Sequence, residues 1–117
     1  MSERDFDVQG FARDINELLV LSALRSESKH GYQIALDVEE ESRGLFRFRH
    51  GTLYPILHRL EGERLIRGSW SRAGGRRRKV YALTAAGSRH LTGETGRVGE
   101  IVSRLMLVLG RPGEAPA

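Results

Sequence analysis

Cysteine is absent from this 117-residue chain. Disulfides, thiolate metal sites and cysteine nucleophiles are thereby excluded. No apolar run approaches the roughly 18 residues that a membrane-spanning helix needs. The opening Met-Ser-Glu-Arg-Asp lacks the basic-then-apolar order of a signal peptide. A cytoplasmic protein without a membrane partner is therefore expected. The four histidines, His30, His50, His58 and His90, lack the spacing of a helical metal pair, so no metal site is expected. No nucleophile-elbow motif arranges Ser, His and Asp for acyl transfer. Gly74-Gly75 is too short to cradle a phosphate in a P-loop, and no Gly-Lys-Ser/Thr follows. Neither a cofactor nor an enzymatic activity is expected.

Acid is also missing from one long stretch. Arg67, Arg72 and Arg76 to Lys79 stand together without an Asp or Glu among them, while acids gather in Asp37 to Glu41 and near the N-terminus. The formal net charge is +4 and the isoelectric point about 10.1. A modest excess so unevenly placed points to a polyanionic partner. Within the basic stretch, Gly74 and Gly75 can take positive φ and turn the chain tightly. Ile66 and Trp70 before them, and Val80 and Tyr81 after them, favour strands. A hairpin is predicted, with strands Ile66 to Ser71 and Arg78 to Leu83 and a tip at Arg72 to Arg77. A basic hairpin suits a phosphate backbone, although a solvated loop has the same composition.

What precedes the hairpin is helical. Hydrophobic content of 39% builds one modest core in one domain. Phe6, Val8 and Phe11 are candidate anchors ahead of a first helix, predicted from a cap at Asp14 to about Arg25. Its apolar run Leu18 to Leu21, with Leu24, is wanted on more than one side. A second helix is predicted from about His30 to Ser42, with Gly31, Ile34, Ala35 and Val38 inward and Asp37 to Glu41 as its solvated end. Leu45, Phe46 and Phe48 are expected to plug the connector into the core. A third helix, about His50 to Arg64, carries the stripe Leu53, Ile56, Leu57 and Leu60.

Three helices followed by a hairpin is the order of a winged helix-turn-helix. The fold class expected is mainly α (α+β), with a two-stranded wing. In that arrangement the third helix enters the major groove of DNA and the wing lies on adjacent backbone. Arg59 is then the candidate to fork onto guanine, and His58, Thr52 and Tyr54 to reach bases or phosphates. An ordinary wet helix face is the alternative. Trp70 is read as a strand residue packing the base of the wing.

Thr84 is the predicted N-cap of a last helix. Leu91, Val98, Ile101, Val102, Leu105, Val108 and Leu109 share one side of it, a stripe too long for one small domain to cover. These residues, with Leu18 and Leu21 of the first helix, are the expected homodimer interface. Gly93, Gly96 and Gly99 weaken the helix and predict a kink or break there. The division expected is 1–83 for DNA reading, 84–110 for dimerisation and 111–117 as a frayed tail.

Lys29-His-Gly-Tyr-Gln-Ile34, Gly51-Thr-Leu-Tyr-Pro-Ile-Leu-His-Arg-Leu-Glu61, Leu65-Ile66 and Gly74-Gly-Arg-Arg-Arg-Lys-Val-Tyr-Ala-Leu-Thr84 with Gly87 resemble the PadR family of bacterial transcriptional regulators. The resemblance covers about Leu18 to Leu91. The short chain is similar to members with a single C-terminal helix. The likeness implies a homodimeric repressor that often answers to a small-molecule effector. It places DNA contacts on Thr52, Tyr54 and the rest of the third-helix face, on the wing residues Arg76, Arg77, Arg78 and Lys79 with Arg72, and on His30 and Tyr32. The last helix is richer in glycine than is usual in that family. The reading is a sequence-specific repressor of double-stranded DNA binding an inverted repeat. A winged-helix module for an acidic protein partner and a non-specific architectural DNA binder are its competitors.

Overall fold

The computed structural model describes residues 6–110 and 113, apart from the side chain of residue 73. The expected frayed tail, 111–117, lies outside the described residues except for Gly113. Eight elements follow in order: α1 (Val8–Ala23), β1 (Lys29–His30), α2 (Gly31–Glu41), α3 (His50–Gly62), β2 (Ile66–Ser71), a single tight turn at Ala73–Gly75, β3 (Arg78–Leu83) and α4 (Ala85–Leu109). The fold is mainly helical, with one small antiparallel sheet ordered β1-β3-β2.

The hairpin strands match their predicted bounds. They are in register from Ile66↔Leu83 to Ser71↔Arg78. Gly74 and Gly75 turn the tip with φ of 72° and 78°, values that a side chain would oppose. The third strand was not foreseen. Lys29 and His30 pair with Tyr81 and Val80, so the wing rests on a three-stranded sheet. Two residues are too few to show a period-2 pattern, and their partners lie far along the chain.

Helix α1 begins earlier than predicted. Asp7 precedes it in extended backbone, and Asp14 sits inside it, where it meets Arg97 of α4 at 2.8 Å. Buried Val20 and Leu21 of α1, with Leu24 just after it, meet Ile34 and Val38 of α2 and the buried stripe Leu53, Ile56, Leu57 and Leu60 of α3. Ile66, Tyr81 and Leu91 close the same core. Asp37 is no solvated end either: Lys29 Nζ lies 2.5 Å from Oδ2, and Gln33 Nε2 donates to Oδ1 at 2.7 Å. Of the three connector residues, only Phe48 packs against the core. Leu45 and Phe46 are exposed, because Arg43 and Gly44 adopt positive φ and swing the chain outward at the end of α2.

Thr84 welds α3 to α4. Its hydroxyl accepts from Gly87 N–H at 2.9 Å and donates to the carbonyls of Arg64 at 2.8 Å and Leu65 at 3.0 Å. Leu65 in turn donates its N–H to Leu60 O across Arg64, which holds a φ of 62°. The predicted break in α4 does not occur. One helix runs through Gly93, Gly96 and Gly99. Arg97 braces that stretch, bound to Glu94 at 3.0 Å on its own helix and to Asp14 on α1.

Candidate nucleic-acid interface

Helix α3 buries one side and exposes the other. Thr52, Tyr54, Pro55, His58 and Arg59 are all exposed, as the 100° helical step requires once Leu53, Ile56, Leu57 and Leu60 face inward. Tyr54 stacks on His50, with ring centroids 5.8 Å apart and planes within 15°. Its hydroxyl end also explains Gly31: a methyl there would stand 3.0 Å from Tyr54 Oη and 3.3 Å from Leu57 Cδ1. The start of α2 thus leans directly on the exposed face of α3.

A cleft of about 370 Å³ opens at that contact, lined by His30, Gly31, Tyr32, Tyr54, Arg78, Lys79 and Tyr81. It brings together five predicted contact residues from three separate stretches of the sequence: His30, Tyr32, Tyr54, Arg78 and Lys79. The first N–H groups of α2 have no helical partner, and they sit beside the buried His30 Nδ1, which has no hydrogen-bond partner among the described residues. Donors, a helix N-terminus and an arginine in one concavity suit an anion. Burial pushes the Tyr81 phenol up, so it stays a neutral hydroxyl.

The four consecutive cations of the wing are not equivalent. Arg72, Arg76 and Arg78 stand exposed. Arg77 lies over the Trp70 ring, 4.5 Å from its centroid. Trp70 is 59% exposed, so it is a surface platform for cations and does not pack the wing base. Lys79 is held by Glu61 of α3, Nζ to Oε1 at 2.9 Å. That bond draws the Glu61 carboxyl below its usual range and lifts the Lys79 ammonium. Lys79 is therefore ion-paired within the protein, unlike its exposed neighbours. Arg59 is likewise engaged, in an ion pair with Glu17 of α1. Arg59 thus lies on the flank of α3 that leans toward α1.

The comparison with known proteins decides what this surface belongs to. Residues 20–93 match the model of the transcriptional regulator PadR-like family. The chain belongs to the PadR-like family. It is accordingly a DNA-binding transcriptional regulator and not an enzyme. It is 33% identical over 96 residues to transcriptional regulator Rv3488 of Mycobacterium tuberculosis, covering 82% of this chain and 87% of that protein. Its fold superposes on a PadR family transcription regulator from Clostridium difficile R20291 with a TM-score of 0.71, 31% identity, and 80% and 97% of the two chains covered. A PadR family regulator from Eggerthella lenta gives 0.74 at 27% identity, covering 88% of each chain.

In this PadR-like regulator the connector into α3 adds cations that sequence reasoning passed over. Arg47 and Arg49 are exposed there, Arg47 only 3.8 Å from Glu39 and Arg49 at the N-cap of α3. The signal was the basic character of Arg43 to Arg49, masked by its interleaved apolar residues.

The expected dimer residues divide. Leu18, Leu21 and Leu91 lie in the protomer's own core, because α1 is walled in by α2, α3 and α4. They are removed from the candidate interface. Val98 and Ile101 are half-buried, whereas Val102, Leu105, Val108 and Leu109 are exposed, as is Leu107, which the predicted stripe left out. No described helix is long and apolar enough to cross a membrane.

Proposed function

We propose that this regulator acts in the cytoplasm as a homodimeric repressor of an inverted-repeat operator. Residues 1–83 read DNA and 84–110 pair the two copies. Thr52, Tyr54 and His58 present the base-reading face. His30, Tyr32 and Arg78 seat a backbone phosphate in the cleft, and Arg72, Arg76 and Arg77 follow the backbone along the wing.

The observation that carries the dimer is the uncovered end of α4. Leu105 is 51% exposed, Val108 84% and Leu109 70% in the single chain. A helix of 25 residues is roughly 38 Å long at about 1.5 Å per residue, and its far half finds no cover in its own domain. A contiguous apolar stripe of that kind marks an interaction surface, and a two-fold partner supplies the same stripe. Pairing would set the two α3 helices about one helical turn, roughly 34 Å, apart on DNA. Release by a small-molecule effector is the part of the reading carried by family membership.

Footprinting the full chain on the DNA upstream of its own gene tests the proposal. Two protected half-sites related by dyad symmetry are expected, with dimer stoichiometry by sedimentation. Protection of a single half-site by a monomer would overturn the dimeric reading. Uniform coating of any duplex would make this an architectural binder.

A further inference from the structure

Glu61 stands where the reading helix meets the wing, and it makes two bonds to the wing. Its Oε1 accepts from Lys79 Nζ at 2.9 Å, and its Oε2 accepts from the Gly68 N–H at 3.3 Å. Gly68 lies opposite Tyr81, and Trp70 opposite Lys79, in the β2–β3 register. The carboxylate therefore spans both wing strands. Gly68 is the residue that leaves room for it. A methyl at that position would overlap Lys79 Cε and stand 2.9 Å from Glu61 Oε2. Lys79 is further enclosed by aromatic rings, its Nζ 5.6 Å from the Tyr81 centroid and 6.0 Å from that of Trp70.

We infer that Glu61 is a specificity-determining residue that withholds the Lys79 charge from the DNA backbone while bracing the wing against α3. The inference rests on the reading of the wing as a backbone-binding element. A phosphate contact adds affinity on every sequence and discriminates among none. A wing with every cation free would thus raise operator and random binding together. Spending one cation on an internal carboxylate lowers both together and leaves their ratio to the bracing of the wing. The same bond fixes the wing relative to the helix that reads bases, so it leaves operator binding favoured.

The test is the salt dependence of binding by the full chain to two labelled duplexes of equal length, one carrying its footprinted site and one of random sequence. Glu61→Gln keeps an acceptor for the Gly68 N–H and removes the charge. It should steepen the slope of log K against log salt on random DNA by about 0.9, the value of one added phosphate contact. The ratio of operator to random affinity should fall. Glu61→Gln with Lys79→Gln should return the slope to the wild-type value. Gly68→Ala, which displaces Lys79 by overlap, should steepen it as Glu61→Gln does. A purely structural role for Glu61 would not move a slope in this direction.

Lys79→Gln alone leaves Glu61 in place and guards against misfolding of the other variants. Its slope should equal that of wild type, whereas Arg78→Ala should lose about 0.9. A Lys79→Gln slope lower by that amount, or a folded Glu61→Gln with an unchanged slope, overturns the inference. Wild-type protein that binds neither duplex would instead remove the functional reading beneath it.

Discussion

Glu17 of α1 holds the guanidinium of Arg59 on the flank of α3. The Glu17 side chain is only 15% exposed, and burial, more than any other cause, raises its carboxyl above the usual range. Arg59 pulls it down, while Glu63 and Asp14 push it up again. A carboxyl whose folded pKa exceeds its unfolded one is ionised at a greater cost in the fold. Its effect is neutral below the unfolded pKa, and stability falls as pH rises through the window up to the folded value. Glu17→Gln should therefore be at least as stable as wild type at pH 7, with the two converging in urea titrations once the pH falls below the ordinary glutamate value of about 4.3. A Glu17→Gln protein clearly weaker at pH 7 would mean that the ion pair outweighs the burial. Arg59→Ala, by the same geometry, should leave base preference unaltered when tested on single-position operator variants.

Thr84→Ala should cost about 0.5–2 kcal/mol, because it removes an N-cap and also the hydroxyl bond to the carbonyls that end α3. Gly87→Ala should cost more, at least about 1–3 kcal/mol. Its methyl would overlap the Leu65 carbonyl oxygen, which is backbone, and stand 2.9 Å from Leu83 Cδ1. Equilibrium urea unfolding should rank Gly87→Ala below Thr84→Ala; the reverse order would show that the α3–α4 joint yields easily.

Arg64 holds φ 62° at the end of α3, a region that costs an L-residue roughly 1–2 kcal/mol. Arg64→Gly removes that strain and loosens the unfolded chain, for a net gain of about 0.5–1 kcal/mol. The same titrations should show a higher midpoint at unchanged slope.

On the wing, Arg76→Ala and Arg78→Ala should each lower the salt slope of DNA binding by about 0.9. Trp70→Ala should barely change stability, since the ring is largely exposed. It should weaken binding equally on operator and random DNA by releasing Arg77 from its platform. Fluorescence anisotropy across a salt series separates these outcomes. A loss confined to one operator base pair would assign Trp70 to base recognition instead.

Leu105→Asp tests the seam. Because Leu105 is half exposed in the single chain, the substitution should leave the protomer folded. In a dimer it buries an unpaired charge, at a cost of several kcal/mol, about 2–7 for a polar group alone. Sedimentation should show a folded monomer that no longer saturates the operator at wild-type concentrations. A folded Leu105→Asp dimer would place the interface elsewhere.

The elements with a strong local signal were legible from sequence. The stripe Leu53, Ile56, Leu57 and Leu60 declared α3 through its 3.6-residue period. Gly74-Gly75 between β-formers declared the hairpin to the residue. Thr84 declared the last helix by its hydroxyl. Charge state in context was not legible. Lys79 looks like Arg76 in a row of four cations, yet one is spent on Glu61 and the other stands in solvent. Arg59 and His58 are exposed neighbours on one helix, yet Arg59 is drawn into an ion pair with Glu17 of α1. Likewise Leu18 and Leu105 are both apolar residues on helices, and packing alone decided that Leu18 belongs to the core and Leu105 to the surface. Periodicity and turn chemistry act over a few residues, so the chain by itself determined its helices, its hairpin and its basic tip. Ion pairs, strand β1 and burial arise between residues tens of positions apart, and only the tertiary structure, by bringing them within a few ångströms, decided which charges remain free to meet DNA.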